Sequence, residues 1–268
     1  MNYKIICEQT VALARETGKF IQSQKQSVLE KDIQTKGVHD FVTRVDKASE
    51  SMIINELKKI LPSSTFLAEE SASDAKIEET TWIIDPLDGT TNFIHHLPLF
   101  TISIALMHKN ELVIGVIYEP NLDECFYAWK DGGAWLNGTQ ISVSKTKTLH
   151  DSLLATGFPY YDYQHLDGFM EFLKYTIRET RGLRRLGSAA LDMAWVACGR
   201  FDAFYEYGLR PWDVAAGACI VSEAGGRVTD FNNLPDCIFQ KEIIASNNQV
   251  HDELVREMRK CFFSGKNN

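Results

Sequence analysis

The segment Trp82-Ile83-Ile84-Asp85-Pro86-Leu87-Asp88-Gly89-Thr90-Thr91-Asn92-Phe93 constrains this chain more than any other. A short apolar run of the kind found in buried strands leads directly into two carboxylates three residues apart. Pro86 fixes its own φ and disfavours the helical conformation at Asp85. A strand that ends in such a turn is a rigid mount, able to aim both Asp side chains and the Leu87 carbonyl at one point. Donors that are all oxygen select hard cations such as Mg2+. Gly89 permits close backbone approach, and a helix starting at Thr90-Thr91-Asn92 would turn the Gly89 and Thr90 amides towards a phosphate. Asp85 to Gly89 taken alone is also a common turn composition, so a site needs partners from elsewhere in the chain.

Two acidic features can supply them: Glu69-Glu70, after the short strand-like Thr65-Phe66-Leu67, and Trp212-Asp213, at the start of an apolar helix reaching Glu223. Each has a plainer reading. Asp213 can cap its helix, and the two glutamates can be solvated surface charge. Gathering all these carboxylates without a cation is strongly unfavourable, so their convergence requires bound metal.

The formal charge of −8 argues against a general nucleic-acid binder, because affinity for the phosphate backbone needs a concentrated positive surface. With 268 residues, 44% of them hydrophobic and 24% charged, the chain can bury a substantial core. Six cysteines (Cys7, Cys125, Cys198, Cys219, Cys237 and Cys261) lie far apart with no zinc-type spacing, which reads as reduced thiols. The chain shows neither a signal-peptide pattern nor an apolar run near the roughly 20 residues of a membrane span. A cytoplasmic location is the expectation.

Helical periodicity marks Ile5 to Ile21 and Val45 to Ile60, with Lys36 to Thr43 as a polar connection. After the Trp82 strand, β-rich stretches at Thr101–Met107, Leu112–Tyr118 and Glu124–Ala128 alternate with turn signals, which predicts an antiparallel sheet. Beyond residue 150 the pattern changes to strand 153–155, helix 166–178, strand 182–186, helix 188–198, strand 203–205 and helix 214–223. Two layers of different connectivity follow. No linker is evident, and the expectation is one domain, 1–268, made of two packed halves at about 1–150 and 151–268.

The chain resembles the inositol monophosphatase family. Asp85-Pro86-Leu87-Asp88-Gly89-Thr90-Thr91-Asn92-Phe93 matches its first signature, and Pro211-Trp212-Asp213-Val214-Ala215-Ala216-Gly217, continuing to Glu223-Ala224-Gly225-Gly226, matches the second. Asp40 to Asp46, Ala68-Glu69-Glu70-Ser71 and Gly187-Ser188-Ala189-Ala190 extend the likeness over nearly the whole chain. The resemblance implies an α+β fold, a layered αβαβα sandwich like that of fructose bisphosphatase. It implies two or three Mg2+ per site: Glu69, Asp85 and the Leu87 carbonyl for one, Asp85, Asp88 and Asp213 for a second, and Glu69 for a third, weaker one. It implies that Thr90, paired with Asp46, activates water, and that the Gly89 and Thr90 amides hold phosphate. Ala189 and Glu206, with Asp213 nearby, correspond to contacts with substrate hydroxyls. Glu70 is the adjacent carboxylate, and Lys36 falls near a basic residue of the preceding loop.

The activity so implied is hydrolysis of inositol monophosphate or a similar polyol or sugar phosphate, with lithium sensitivity and a homodimeric assembly. Related esters (fructose bisphosphate, histidinol phosphate or a 3'-phosphonucleotide) fit the same motifs. A second role in binding RNA or the transcription machinery is compatible with them. His95 and His96 are expected to be peripheral, Cys198 and Cys219 to be core, Trp212 to be packing that fixes Asp213, and Arg181 to Arg185 to be a solvated or interface surface.

Overall fold

The computed structural model describes residues 1–25, 33–37, 40–71, 77–159 and 163–263. Five layers stack in the order helix, sheet, helix, sheet, helix. The outer helices α1 (Tyr3–Gln24) and α2 (Arg44–Ile60) cover a seven-stranded sheet of β3 (Thr65–Ala68), β4 (Thr80–Asp88), β5 (Thr101–His108), β6 (Glu111–Glu119), β7 (Glu124–Trp129), β8 (Ala134–Leu136) and β9 (Thr139–Ile141) in that order. Only the β3–β4 pair is parallel. In the middle layer are α5 (Ala189–Ala197) and α6 (Pro211–Glu223). A second sheet follows, ordered β11 (Gly182–Arg184), β10 (Leu153–Thr156), β12 (Ala203–Tyr207), β14 (Glu242–Ser246) and β13 (Arg227–Thr229). The helices α4 (Leu166–Glu179) and α7 (His251–Phe263) close its far face. This is the expected α+β layered sandwich.

Side-chain alternation along the strands explains the stacking. On β4, Trp82 and Ile84 join the core beneath α1 and α2, while Ile83 joins the core around α5 and α6. On β12, Ala203, Tyr205 and Tyr207 pack towards α4 and α7, and Phe204 packs towards the middle layer. Such period-2 partition is what a sheet covered on both faces requires. The Ala-rich α5 and α6 are buried nearly all round, because both of their sides meet a sheet.

Several expected boundaries shift. The stretch read as a polar connection forms an antiparallel hairpin, β1 (Ile33–Gly37) with β2 (Asp40–Thr43), because ladder pairing uses backbone groups that polar side chains do not forbid. Strand β4 runs through Asp88 instead of ending at Ile84. The strands β8, β9, β13 and β14 and the helix α7 lie outside the elements expected from sequence, α7 despite an amphipathic pattern that buries Leu254, Val255 and Met258. No helix among the described residues is long and apolar enough to cross a membrane.

Candidate active site

The site forms where β4 meets the N-termini of α5 and α6. In a regular strand Asp85 and Asp88 would face opposite sides. The ladder with β5 pairs Asp85 with Ser103 but Asp88 with Thr101, so three steps on β4 match two on β5. This bulge, at a Pro86 that has no amide to donate, returns both aspartates to one face. Thr101 lies against Ser188 at the start of α5 (3.2 Å), and the Ser103 hydroxyl donates to the Trp212 carbonyl at the start of α6 (3.1 Å). The face is therefore the one towards the middle layer, where Trp212 packs partly buried against the core.

Local geometry fixes each acid. Asp85 Oδ1 accepts from the Leu87 amide at 2.9 Å. Asp88 Oδ2 accepts from the Ser188 hydroxyl at 2.6 Å and the Ala190 amide at 2.8 Å, which places Ala189 alongside it. Asp213, the third residue of a helix that opens on Pro211, reaches back to the Arg210 amide at 2.7 Å. Glu69 continues β3 past its end, its amide donating to the Ile84 carbonyl next to Asp85 (3.1 Å). The Glu70 amide instead donates to Glu50 at 2.8 Å. Lys36 lies on β1, and its side chain is outside the described residues.

Electrostatics tie the acids together. Asp85 is held well above the usual carboxylate range by burial and then by the charges of Glu69, Asp88 and Asp213. Asp213 is raised in the same way by burial, Asp88, Glu69 and Glu206. Asp88 rises to about 6 through burial, opposed by its bonds to Ser188 and Ala190, by Arg185 and by the Gly89 amide. Among the described residues no three His, Cys, Asp or Glu side chains are drawn in to one centre. The acids are nonetheless close enough to repel one another. A repelling set of carboxylates with the Leu87 carbonyl beside it is an oxygen-only donor set that suits a hard divalent cation.

Beside these acids stands Thr90. Its hydroxyl lies 3.0 Å from Asp46 Oδ1 and 2.9 Å from the Leu87 carbonyl, one proton facing two acceptors. Asp46 Oδ2 accepts from the Thr43 amide (2.9 Å) and hydroxyl (2.6 Å), because Thr43 and Asp46 form the capping box of α2. Burial raises the Asp46 pKa against these bonds. Gly89 caps the short helix α3 (Thr90–Ile94) at φ 90°, and a Cβ there would come within 3.1 Å of the Gly187 and Leu99 carbonyls, so no other residue fits without strain.

Glu206, buried near the end of β12, is raised to about 8 by burial and the Asp88 charge, against Arg185. Two neighbours escaped the sequence reading. Asp192, on the first turn of α5 and 1% exposed, is raised by burial, Glu206 and Asp88. Arg181 and Arg184 are exposed as expected, whereas Arg185 is half-buried and acts on Asp88, Asp192 and Glu206, with its guanidinium 5.4 Å from the Phe158 ring. Its place two residues before Gly187-Ser188 was the available signal. His95 and His96 are exposed beyond α3, and Cys219 is buried in the core while Cys198 is half-buried, all six cysteines being free.

Comparison with known proteins identifies the family. The family model described as the inositol monophosphatase family matches residues 3–261. Nus factor SuhB of Escherichia coli K12 is 41% identical over 250 residues, covering 93% of this chain and 94% of that protein. The inositol-1-monophosphatase of Mesorhizobium japonicum is 38% identical over 251 residues, with 93% and 94% covered. Among solved structures, the suhB protein of Bartonella henselae superposes with a TM-score of 0.88 at 40% identity, covering 94% of this chain and 98% of that one. The IMPase of Thermotoga maritima gives 0.86 at 38% identity, covering 94% and 95%. With two signature segments meeting at one buried acidic site and matches running nearly end to end, this chain belongs to the inositol monophosphatase family of phosphatases.

Proposed function

We propose that the protein is a Mg2+-dependent phosphomonoesterase that hydrolyses inositol monophosphate or a similar small polyol or sugar phosphate. The observation that carries this reading is the bulge of β4, which turns Asp85 and Asp88 to one face opposite Asp213. Glu69, Asp85 and the Leu87 carbonyl would hold one ion, and Asp85, Asp88 and Asp213 a second. Bound there, Mg2+ would supply Lewis-acid stabilisation of the phosphoryl oxygens and lower the pKa of water.

This chain's own residues do the rest. When the Thr90 hydroxyl donates to Asp46 Oδ1, its lone pairs are left to accept a proton from an incoming water. That proton passes by way of Thr90 to Asp46, which Thr43 holds in place and whose raised pKa suits a base. The Gly89 and Thr90 amides, at the helix start that only Gly89 allows, receive the phosphate. Ala189 and Glu206 face the hydroxyls of the leaving group, with Asp213 near. Glu206, its pKa raised by burial and the Asp88 charge, meets a substrate hydroxyl as a hydrogen-bond acceptor.

Phosphate release from a panel of inositol monophosphate, fructose bisphosphate, histidinol phosphate and a 3'-phosphonucleotide, with Mg2+ or excess chelator, tests the assignment. Turnover is expected only with Mg2+, fastest on the inositol ester and inhibited by Li+. Full activity in chelator would reject the metal reading, and a faster rival ester would reassign the substrate. A homodimer is part of the proposal, and the exposed Leu166, Met170 and Ile177 on one stripe of α4 are in keeping with a covered face. The relatives named Nus factor motivate a second role in binding RNA or the transcription machinery, one that can coexist with catalysis.

A further inference from the structure

Residue 157 has no side chain, and the space a side chain would take is filled. A Cβ built on Gly157 would lie 2.0 Å from the Cδ, Oε1 and Oε2 atoms of Glu206. All three of its nearest neighbours therefore belong to one carboxylate. The backbone of Gly157 is not in the left-handed region, so its conformation does not call for a glycine, and the nearest obstacle to a side chain is that carboxylate. The contact is with the far end of a flexible side chain, which an alanine would displace without disturbing the main chain.

Other groups around the carboxylate make its place matter. Gly157 follows β10, the strand paired with β12, and the next residue, Phe158, carries its ring 46% exposed against Arg185. Arg185 offsets the charges of both Glu206 and Asp192. Asp192 is buried, and its Oδ1 has no hydrogen-bond partner among the described residues. A carboxylate moved off the Gly157 seat meets this set differently, and any substrate hydroxyl that it reads loses its partner.

We propose that Gly157 is a positioning residue, and through Glu206 a specificity determinant, whose missing side chain seats the Glu206 carboxylate against the hydroxyls of a polyol phosphate. This rests on the assignment of Glu206 to the substrate hydroxyls made above. Phosphate esters without such hydroxyls are indifferent to the seat, so residue 157 selects between the two classes without touching either.

The test is the ratio of kcat/KM for inositol monophosphate to kcat/KM for 4-nitrophenyl phosphate, in wild type, Gly157→Ala, Glu206→Ala and the double variant, alongside thermal melts. Gly157→Ala is expected to lower the ratio about tenfold, the size typical of one lost substrate hydrogen bond, with its melting temperature near that of wild type. In the Glu206→Ala background the same substitution should change neither ratio nor stability, which a merely structural glycine would not produce. A lowered ratio in Glu206→Ala with a normal one in Gly157→Ala overturns the role of Gly157 alone. An unchanged ratio in Glu206→Ala overturns both that role and the assignment of Glu206. A Gly157→Ala protein that melts far below wild type even without Glu206 would show the glycine to be structural and end the proposal.

Discussion

Strand β12 carries a buried acid at each end, and the two live under opposite conditions. Asp202, just before the strand, accepts from the Ser144 hydroxyl at 2.5 Å and the Leu153 amide at 2.7 Å, and its carbonyl accepts from the Asn247 amide at 2.9 Å. Glu206, near the other end about 13 Å away at the usual rise per residue, shares its surroundings with Asp88 and Asp192 and is pushed up to about 8. The first acid is saturated by neutral donors that come with the fold. The second lies among other acids, and its burial is balanced only in part by Arg185. Saturated burial stabilises the protein, whereas unsaturated burial weakens it and leaves acceptors for a ligand. One strand thus joins a structural end to a chemical end.

Asp85→Asn should break the chemical end most severely. Phosphate release at saturating Mg2+ is expected to fall on the order of 1,000-fold or more, because one residue would serve both ions and loss of its charge weakens both. The pKa of Asp85 is raised in the folded protein, so its ionisation weakens the fold once pH exceeds its unfolded value. The neutral amide should therefore melt no lower than wild type in chelator at neutral pH. A folded variant with near-normal turnover would remove Asp85 from the centre, and a sharp drop in stability would make it a structural acid like Asp202.

At the structural end the order of effects should reverse. Asp202→Ala strands the Leu153 amide and the Ser144 hydroxyl, and a loss of about 2 to 3 kcal/mol is expected in urea unfolding, with kcat/KM per folded molecule retained. Lost turnover at unchanged stability would abolish the distinction between the two ends of the strand.

A smaller effect sharpens it by pH. His251, buried between the Ser246 hydroxyl on Nδ1 (2.7 Å) and the Thr229 hydroxyl on Nε2 (2.9 Å), is pushed down to about 4 by burial and Arg227. Its neutral form is the folded one, so its contribution is full above pH 6.5 and is lost as pH falls through about 4. Glu206 behaves oppositely: with its pKa raised from 4.5 to about 8, its contribution is full below pH 4.5 and is lost as pH rises through 8. The urea midpoint of wild type should therefore drop more than that of His251→Gln between pH 7 and pH 4.5. Equal drops in the two proteins would mean that His251 does not titrate in this range.

What the sequence determined by itself is local. Pro86, the apolar run before Asp85 and the glycine at 89 prescribe a strand that ends in aimed carboxylates, and Pro211 with Asp213 prescribes a helix start. The helices α1 and α2 and the long strands of the first sheet were readable because burial on one or both faces imposes a period on their side chains. The helix α7 carries such a period too, with Leu254, Val255 and Met258 buried on one face among many charged residues. The hairpin β1–β2 and the strands β8, β9, β13 and β14 are too short to establish one, and their ladder pairing makes them regular. The same holds within the site. Asp192 looks like an ordinary first-turn acid, Arg185 like surface charge and Gly157 like a loop glycine, until β10, β12 and α5 bring them around Glu206. Sequence spacing fixes which way a side chain points along its own element, but Coulomb interaction and steric exclusion act through space, and only the packed layers set those distances.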